Sequence, residues 1–154
     1  MIKKYDNYIG IDPDVTLSGV AFLETKTKKL EVSALSFFQL FGYLKNVVTA
    51  RDESKQTIQI VIESGWENKS NWHLVPGQKS SVSALIGSKV GANHQIGKLI
   101  VEMCEYLELD YKLIRPSTQK WNKSFCEKVT KIDLSVIPGV NRQECIDAIK
   151  LIWR

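Results

Sequence analysis

Four carboxylates in this chain stand where they could do chemistry. Asp12 ends the apolar run Tyr8-Ile9-Gly10-Ile11, and Glu63 ends the β-branched run that starts at Thr57. Glu144 and Asp147 lie three positions apart in NRQECIDAI, a spacing that puts both on one face of a helix. If the strands ending in Asp12 and Glu63 are neighbours, and the terminal helix packs across the same sheet end, the four acids converge. Close carboxylates repel and raise one another's pKa. A divalent cation relieves that repulsion, and hard Mg²⁺ prefers carboxylate and water oxygens. Two such ions about 4 Å apart can activate a water and stabilise the leaving oxygen of a phosphodiester.

Each acid also has a plainer role open to it. Asp12 precedes Pro13 and could form a turn. Glu63 could be an ordinary charged strand end. Glu144 fits the N3 position of a capping box with Asn141 as N-cap. Asp147 is the hardest to dismiss, because beyond the first helical turn it gains little from the helix dipole. Zinc is a poor alternative to a hard cation. The three cysteines, Cys104, Cys126 and Cys145, are widely spaced, with no Cys-x-x-Cys and no clustered His. They read as small apolar core residues.

The elements that must position these acids follow from hydrophobic period. Tyr8–Asp12 and Gly19–Leu23 read as a strand pair joined by a Pro/Asp/Ser turn, and Leu30–Leu35 as a third strand with one face polar. From Ser36 to about Ala50 the apolar residues follow a helical stripe. Thr57–Glu63 is a strand. The polar, aromatic stretch SGWENKSNWHLVPGQKS after it reads as a long loop. Ser81 to about Leu109 reads as a long helix in which Gly87, Gly91 and Gly97 each cost about 1 kcal/mol against Ala, so close packing or a break near Gly91 is expected. Tyr111–Ile114 is a last short strand. Thr118–Lys131 is polar and in part helical, and Asn141–Trp153 is an amphipathic terminal helix. The order is β-β-β-α-β-α-β-α, an α/β architecture with a mixed five-stranded sheet flanked by helices.

The totals suit one domain over residues 1–154. The chain carries 44% hydrophobic and 25% charged residues, ordinary values for a globular protein. The N-terminus MIKKYDNY has no signal-peptide pattern, and no apolar run approaches the roughly 18–20 residues of a membrane span, so a cytoplasmic protein is expected. The net charge of +4 is unevenly spread. Lys112, Arg115, Lys120, Lys123, Lys128 and Lys131 face only Glu127 between Tyr111 and Lys131, and Lys69, Lys79, Lys89 and Lys98 face only Glu67 between Ser64 and Lys98. That asymmetry suits a polyanionic partner, though solvated lysines account for it equally well.

Taken together, these motifs resemble the RuvC-type Holliday junction resolvases of the ribonuclease H-like superfamily. IGIDPDVTLSGVAF resembles the family's first strand and hairpin with its catalytic Asp, at Asp12. IVIES resembles the strand with the catalytic Glu, at Glu63. NRQECIDAI resembles the terminal helix that completes the site, at Glu144 and Asp147. SVSALIGSKVGANHQIG resembles the family's glycine-rich helix. Trp66 stands three positions after Glu63, where the family has an aromatic that stacks at the junction crossover. Asp14 stands where the family's motif has Gly, and Glu144 where it has Asp or His. The pattern lies closer to divergent phage-encoded relatives than to the cellular enzymes.

The resemblance implies a ribonuclease H-like fold and a metal-dependent, structure-selective endonuclease that nicks four-way DNA junctions as a homodimer. The dimer surface would involve the long helix near Ser81. Asp12, Glu63, Glu144 and Asp147 would be catalytic and hold two Mg²⁺, with Mn²⁺ as the alternative. Trp66 would stack on a base. Lys79, Lys89, Lys120 and Lys123 would contact phosphates; Lys120 lies where the family has basic residues near the scissile phosphate. Trp72 could stack or fold onto the core. His73 and His94 read as ordinary polar residues, with proton transfer as the other possibility. Two alternatives stay open: another ribonuclease H-like nuclease acting on branched DNA or RNA–DNA hybrid, and a catalytically silent junction-binding protein. An actin-like kinase also opens on a Gly-Ile-Asp strand but needs that unit twice, and this chain has room for one.

Overall fold

Strands β1 (Asn7–Asp12), β2 (Ser18–Glu24), β3 (Leu30–Leu35), β4 (Ile58–Glu63) and β5 (Tyr111–Ile114) form one mixed sheet, in the order β3-β2-β1-β4-β5. The pairs β1/β2 and β2/β3 are antiparallel, whereas β1/β4 and β4/β5 are parallel. Helices α1 (Phe37–Ser54), α2 (Ser80–Tyr106), α3 (Lys123–Thr130) and α4 (Arg142–Ile152) flank it. The computed structural model describes residues 4–68, 76–77, 79–139 and 142–153. Trp72, His73, Lys69 and the expected N-cap Asn141 lie outside the described residues.

The period of two along the strands divides the core into two layers. Ile9, Ile11, Val20, Ile60 and Ile62 point to one face, where they pack with Leu40 and Leu44 of α1 and Ile100 and Cys104 of α2. Tyr8, Ala21, Leu23 and Val61 point to the other, against Cys145, Ile146, Ala148, Ile149 and Ile152 of α4. Asp12 shares the parity of Tyr8, and Glu63 that of Val61, so both acids fall on the α4 side. The parallel register pairs Ile11 with Ile62, and one further step sets Asp12 beside Glu63.

The expected elements are present, with three differences. Helix α1 runs on to Ser54; its start is fixed by a reciprocal capping box between Ser36 and Gln39. The loop after Glu63 begins with a 3₁₀ turn, Gly65–Glu67. Helix α2 is continuous through Gly91, so of the two expected alternatives the break does not occur, and close packing is met at Gly97. A side chain at Gly87 or Gly91 would meet nothing, so these glycines weaken the helix without any packing that bends it. Burial of Ile100, Met103 and Cys104 anchors its second half. All three cysteines are buried, as expected of core residues. Among the described residues no helix is long and apolar enough to cross a membrane.

Two glycines set the distance between α4 and the sheet. A Cβ at Gly10 would overlap the Ala148 carbonyl, and a Cβ at Gly19 would overlap the Glu144 carbonyl. The helix backbone therefore lies directly on β1 and β2. Gly19→Ala is expected to destabilise the fold by about 1–3 kcal/mol through overpacking, each kcal/mol lowering Tm by about 2–4 °C. Gly91→Ala, facing open space, is expected to raise stability by about 0.5–1 kcal/mol. Thermal denaturation of the two variants checks both signs.

Candidate functional site

A cleft of about 500 Å³ opens at the C-terminal ends of β1 and β4. Asp12, Glu63, Glu144 and Lys120 lie along it, walled by Asp14, Asn93, His94 and Trp66. Asp147 stands behind this surface, 5% exposed. The sheet register places the first two acids and the close seat of α4 brings the second two to them.

Lys120 reaches Asp147 with its Nζ 2.6 Å from Oδ2. Gln143 Nε2 donates to the other oxygen, Oδ1, at 3.1 Å. Gln143, Asp147 and Lys150 form one stripe on α4, and this stripe holds the segment around Lys120. Gln143 Nε2 also lies 3.2 Å from the Trp121 carbonyl, and Lys150 donates to the Gln119 carbonyl. Glu144 lies in the first turn of α4, and its Oε2 is buried with no hydrogen-bond partner among the described residues.

Burial pushes Asp12 well above the usual carboxylate range; the negative charges of Glu63 and Asp147 push it further, against the pull of Lys120. Glu63 is raised too, by burial first, while Lys120 and a hydrogen bond from Asp12 work the other way. Of the two, Asp12 is the more strongly raised, burial being the first cause in both. Burial opposes the Lys120 ammonium, but Asp147, then Glu63 and Asp12, outweigh it and raise its pKa.

Asp12, Glu63 and Glu144 carry oxygen donors of the kind a hard divalent cation takes, and Glu144 Oε2 is buried without a partner among the described residues. The spacing is less closed. Among the described residues no three His, Cys, Asp or Glu side chains are grouped to hold an ion as they stand. Asp147 is already held on both oxygens by nitrogen donors.

The remaining expected residues are distributed unevenly. Trp66 lines the cleft, but its ring is packed on Gly97 of α2, where a Cβ would overlap it. It is folded onto the core rather than free to swing, and this explains Gly97 better than a helix break does. Lys120 is inside the site. Lys79 and Lys89 are exposed on and beside α2 and do not line the cleft. Lys123 lies 3.5 Å from Glu127 in an i,i+4 ion pair. His94 sits over the turn after Glu63; its Nε2 would lie 3.1 Å from a Cβ at Gly65.

Several positioning residues escape a reading of the sequence. Asn93 Nδ2 donates to Asp14 Oδ2 at 3.1 Å, and the Val15 amide donates to Asn93 Oδ1 at 2.8 Å. This clasp ties the β1–β2 turn to α2 and gives Asp14 a role that a Gly there could not fill. Gln143, four positions before Asp147, carried a readable helical signal; Asn93 carried none, because its partners are distant in sequence.

Among solved structures, the chain is similar to T. thermophilus RuvC in complex with Holliday junction substrate, at 12% identity and a TM-score of 0.46, covering 94% of this chain and 89% of that chain. No family model and no curated protein matches the chain.

The raised pKa of Asp12 has a signed consequence for stability. Its folded value lies above the ordinary 3.8, so the folded state binds this proton more tightly. Stability at this site is then lost as pH rises from 3.8 through the folded value. Asp12→Asn removes the penalty. In EDTA its Tm is expected to exceed that of wild type at pH 8, with the difference shrinking towards pH 4. Melting curves across that range check the sign.

Proposed function

We propose that this chain is a divalent-cation-dependent, structure-selective DNA endonuclease of RuvC type that nicks four-way junctions. The observation that carries the reading is the meeting of Asp12, Glu63, Glu144 and Lys120 in one cleft, with Asp147 buried behind. The order and spacing of the three sequence motifs support the subclass. Asp12, Glu63 and Glu144 would hold the cation, with Asp147 as the fourth acid of the set. When bound, such a cation polarises a phosphoryl oxygen and lowers the pKa of water.

The chain's own residues do the rest in this reading. Asp12 and Glu63 present their carboxyl groups to the cleft. Lys120, half exposed on the cleft wall, positions a phosphate by charge. Trp66, fixed on Gly97, offers a rigid aromatic wall to an unstacked base at the crossover. The basic stretch from Lys112 to Lys131 follows the phosphates of a duplex arm, which makes binding salt-dependent. Hydrolysis adds a water oxygen to phosphorus and breaks the bond to the 3′ oxygen, leaving a 5′-phosphate and a 3′-hydroxyl. A homodimer would cover Val82 and Leu85 on α2, which are 41% and 73% exposed.

The test uses a labelled immobile four-way junction, a linear duplex of the same sequence and an RNA–DNA hybrid, each with Mg²⁺ or EDTA. Paired nicks in the junction alone are expected, lost in EDTA. Asp12→Asn is expected to lower the rate by about a thousandfold or more while junction binding is retained. Cleavage of the hybrid alone would select a different nuclease of this fold. Tight binding without cleavage under Mg²⁺ or Mn²⁺ would select a binding protein.

A further inference from the structure

We propose that Asn93 is a specificity-determining residue. Through its clasp on Asp14 it closes the cleft between the β1–β2 turn and α2, so that a strand entering past Lys120 has to turn sharply instead of running through. The inference rests on the reading above, in which the cleft nicks DNA, and adds a physical origin for its structure selectivity. The resemblance has Gly at the position of Asp14 and so does not supply this wall.

Three observations carry it. First, the turn and the helix are in direct contact. Asn93 Nδ2 donates to Asp14 Oδ2 at 3.1 Å, and the Val15 amide donates to Asn93 Oδ1 at 2.8 Å. Groups at hydrogen-bond distance leave no gap for a strand between them. Asp14 and Asn93 both line the cleft, so this contact is part of its wall. Beside it, α2 meets the other strand exit, with His94 over Gly65 and Gly97 under the Trp66 ring.

Second, the wall is anchored on both sides. The Thr16 amide donates to Asp14 Oδ1 at 2.8 Å, and the Asp14 amide donates to Ser18 Oγ at 3.2 Å. Ser18 is buried at the start of β2. On the helix, Gly97 is four positions after Asn93 and is buried.

Third, the charges across the cleft differ. Lys120 is seated on α4, and α2 covers the opposite face of the sheet. A phosphate is drawn to the Lys120 ammonium and repelled by the Asp14 carboxylate at the clasp. A strand therefore enters on the α4 side and meets the clasp ahead of it. Continuous duplex is stiff, with a persistence length of about 150 bp, and a sharp turn costs it energy. A strand that passes between arms at a branch point turns already.

The test measures initial nicking rates on an immobile four-way junction and on a linear duplex of the same sequence, with Mg²⁺. The variants are Asn93→Ala, Asn93→Asp, and Asn93→Asp combined with Asp14→Asn. The combined variant exchanges the pair and keeps the clasp, because an amide at position 14 can donate to a carboxylate at position 93 that still accepts from the Val15 amide. In both single variants the rate on duplex relative to junction is expected to rise about tenfold or more, and in the exchanged pair to return towards wild type. Hydrogen exchange at the Val15 amide reads the clasp directly. It is expected to be slow in wild type and the exchanged pair and fast in the single variants. An unmoved rate ratio in a folded Asn93→Ala with fast Val15 exchange would overturn the inference and leave the nuclease reading standing. Slow Val15 exchange in that variant would overturn it too, as would a ratio that stays high in an exchanged pair with slow exchange. Wild type that nicks neither substrate would overturn it together with the reading it rests on.

Discussion

The seat of α4 on Gly10 and Gly19 is the contact on which the site depends. A helix packed on a sheet through ordinary side chains stands about 10 Å away. Here the Ala148 and Glu144 carbonyls occupy the space that two Cβ atoms would fill. That close approach lets side chains as short as Asp and Glu on the helix reach acids at the strand ends. The remaining face of α4 then has enough apolar surface to bury Cys145, Ile149 and Ile152 completely. The same helix thus seals one core layer and supplies two of the four carboxylates.

The electrostatics follow from that seat. An unpaired buried charge costs several kcal/mol even after relaxation, and this fold gathers several acids at one sheet end. Two responses are visible. Burial and the charges of Glu63 and Asp147 raise the pKa of Asp12, and Lys120 is drawn onto Asp147 with its own pKa raised. Both reduce the repulsion between like charges. The second is built into the chain by the ties that Gln143 and Lys150 make to the Lys120 segment.

Most of the sheet is legible in the sequence, because each strand is a short β-branched or apolar run with its own period and a turn signal behind it. The candidate acids are legible for a related reason. A charged residue that ends a buried run, or breaks an apolar helix face as Asp147 does, contradicts its surroundings. What the sequence conceals is pairwise and long-range. Gly97 signals close packing in α2 but not its partner, the Trp66 ring that lies on it. Asp14 looks like a departure in a turn until Asn93 is found across the cleft. Lys120 is one lysine among several in a basic stretch, and only the fold singles it out. In each case the partner lies more than 20 residues away, and no local periodicity marks the pair.

The position of the cleft has a topological origin. At the end of β1 the chain turns back into β2, on one side of the sheet order. At the end of β4 it passes into the 3₁₀ turn Gly65–Glu67 and on towards α2, which packs on the face opposite α4. The two exits diverge from adjacent parallel strands, and a crevice opens beyond their carboxyl ends, as it does in open α/β sheets generally. The Asp14–Asn93 clasp spans that divergence, because it joins the first exit to α2. Residues at the crevice can therefore be rigidly placed without being sealed from solvent.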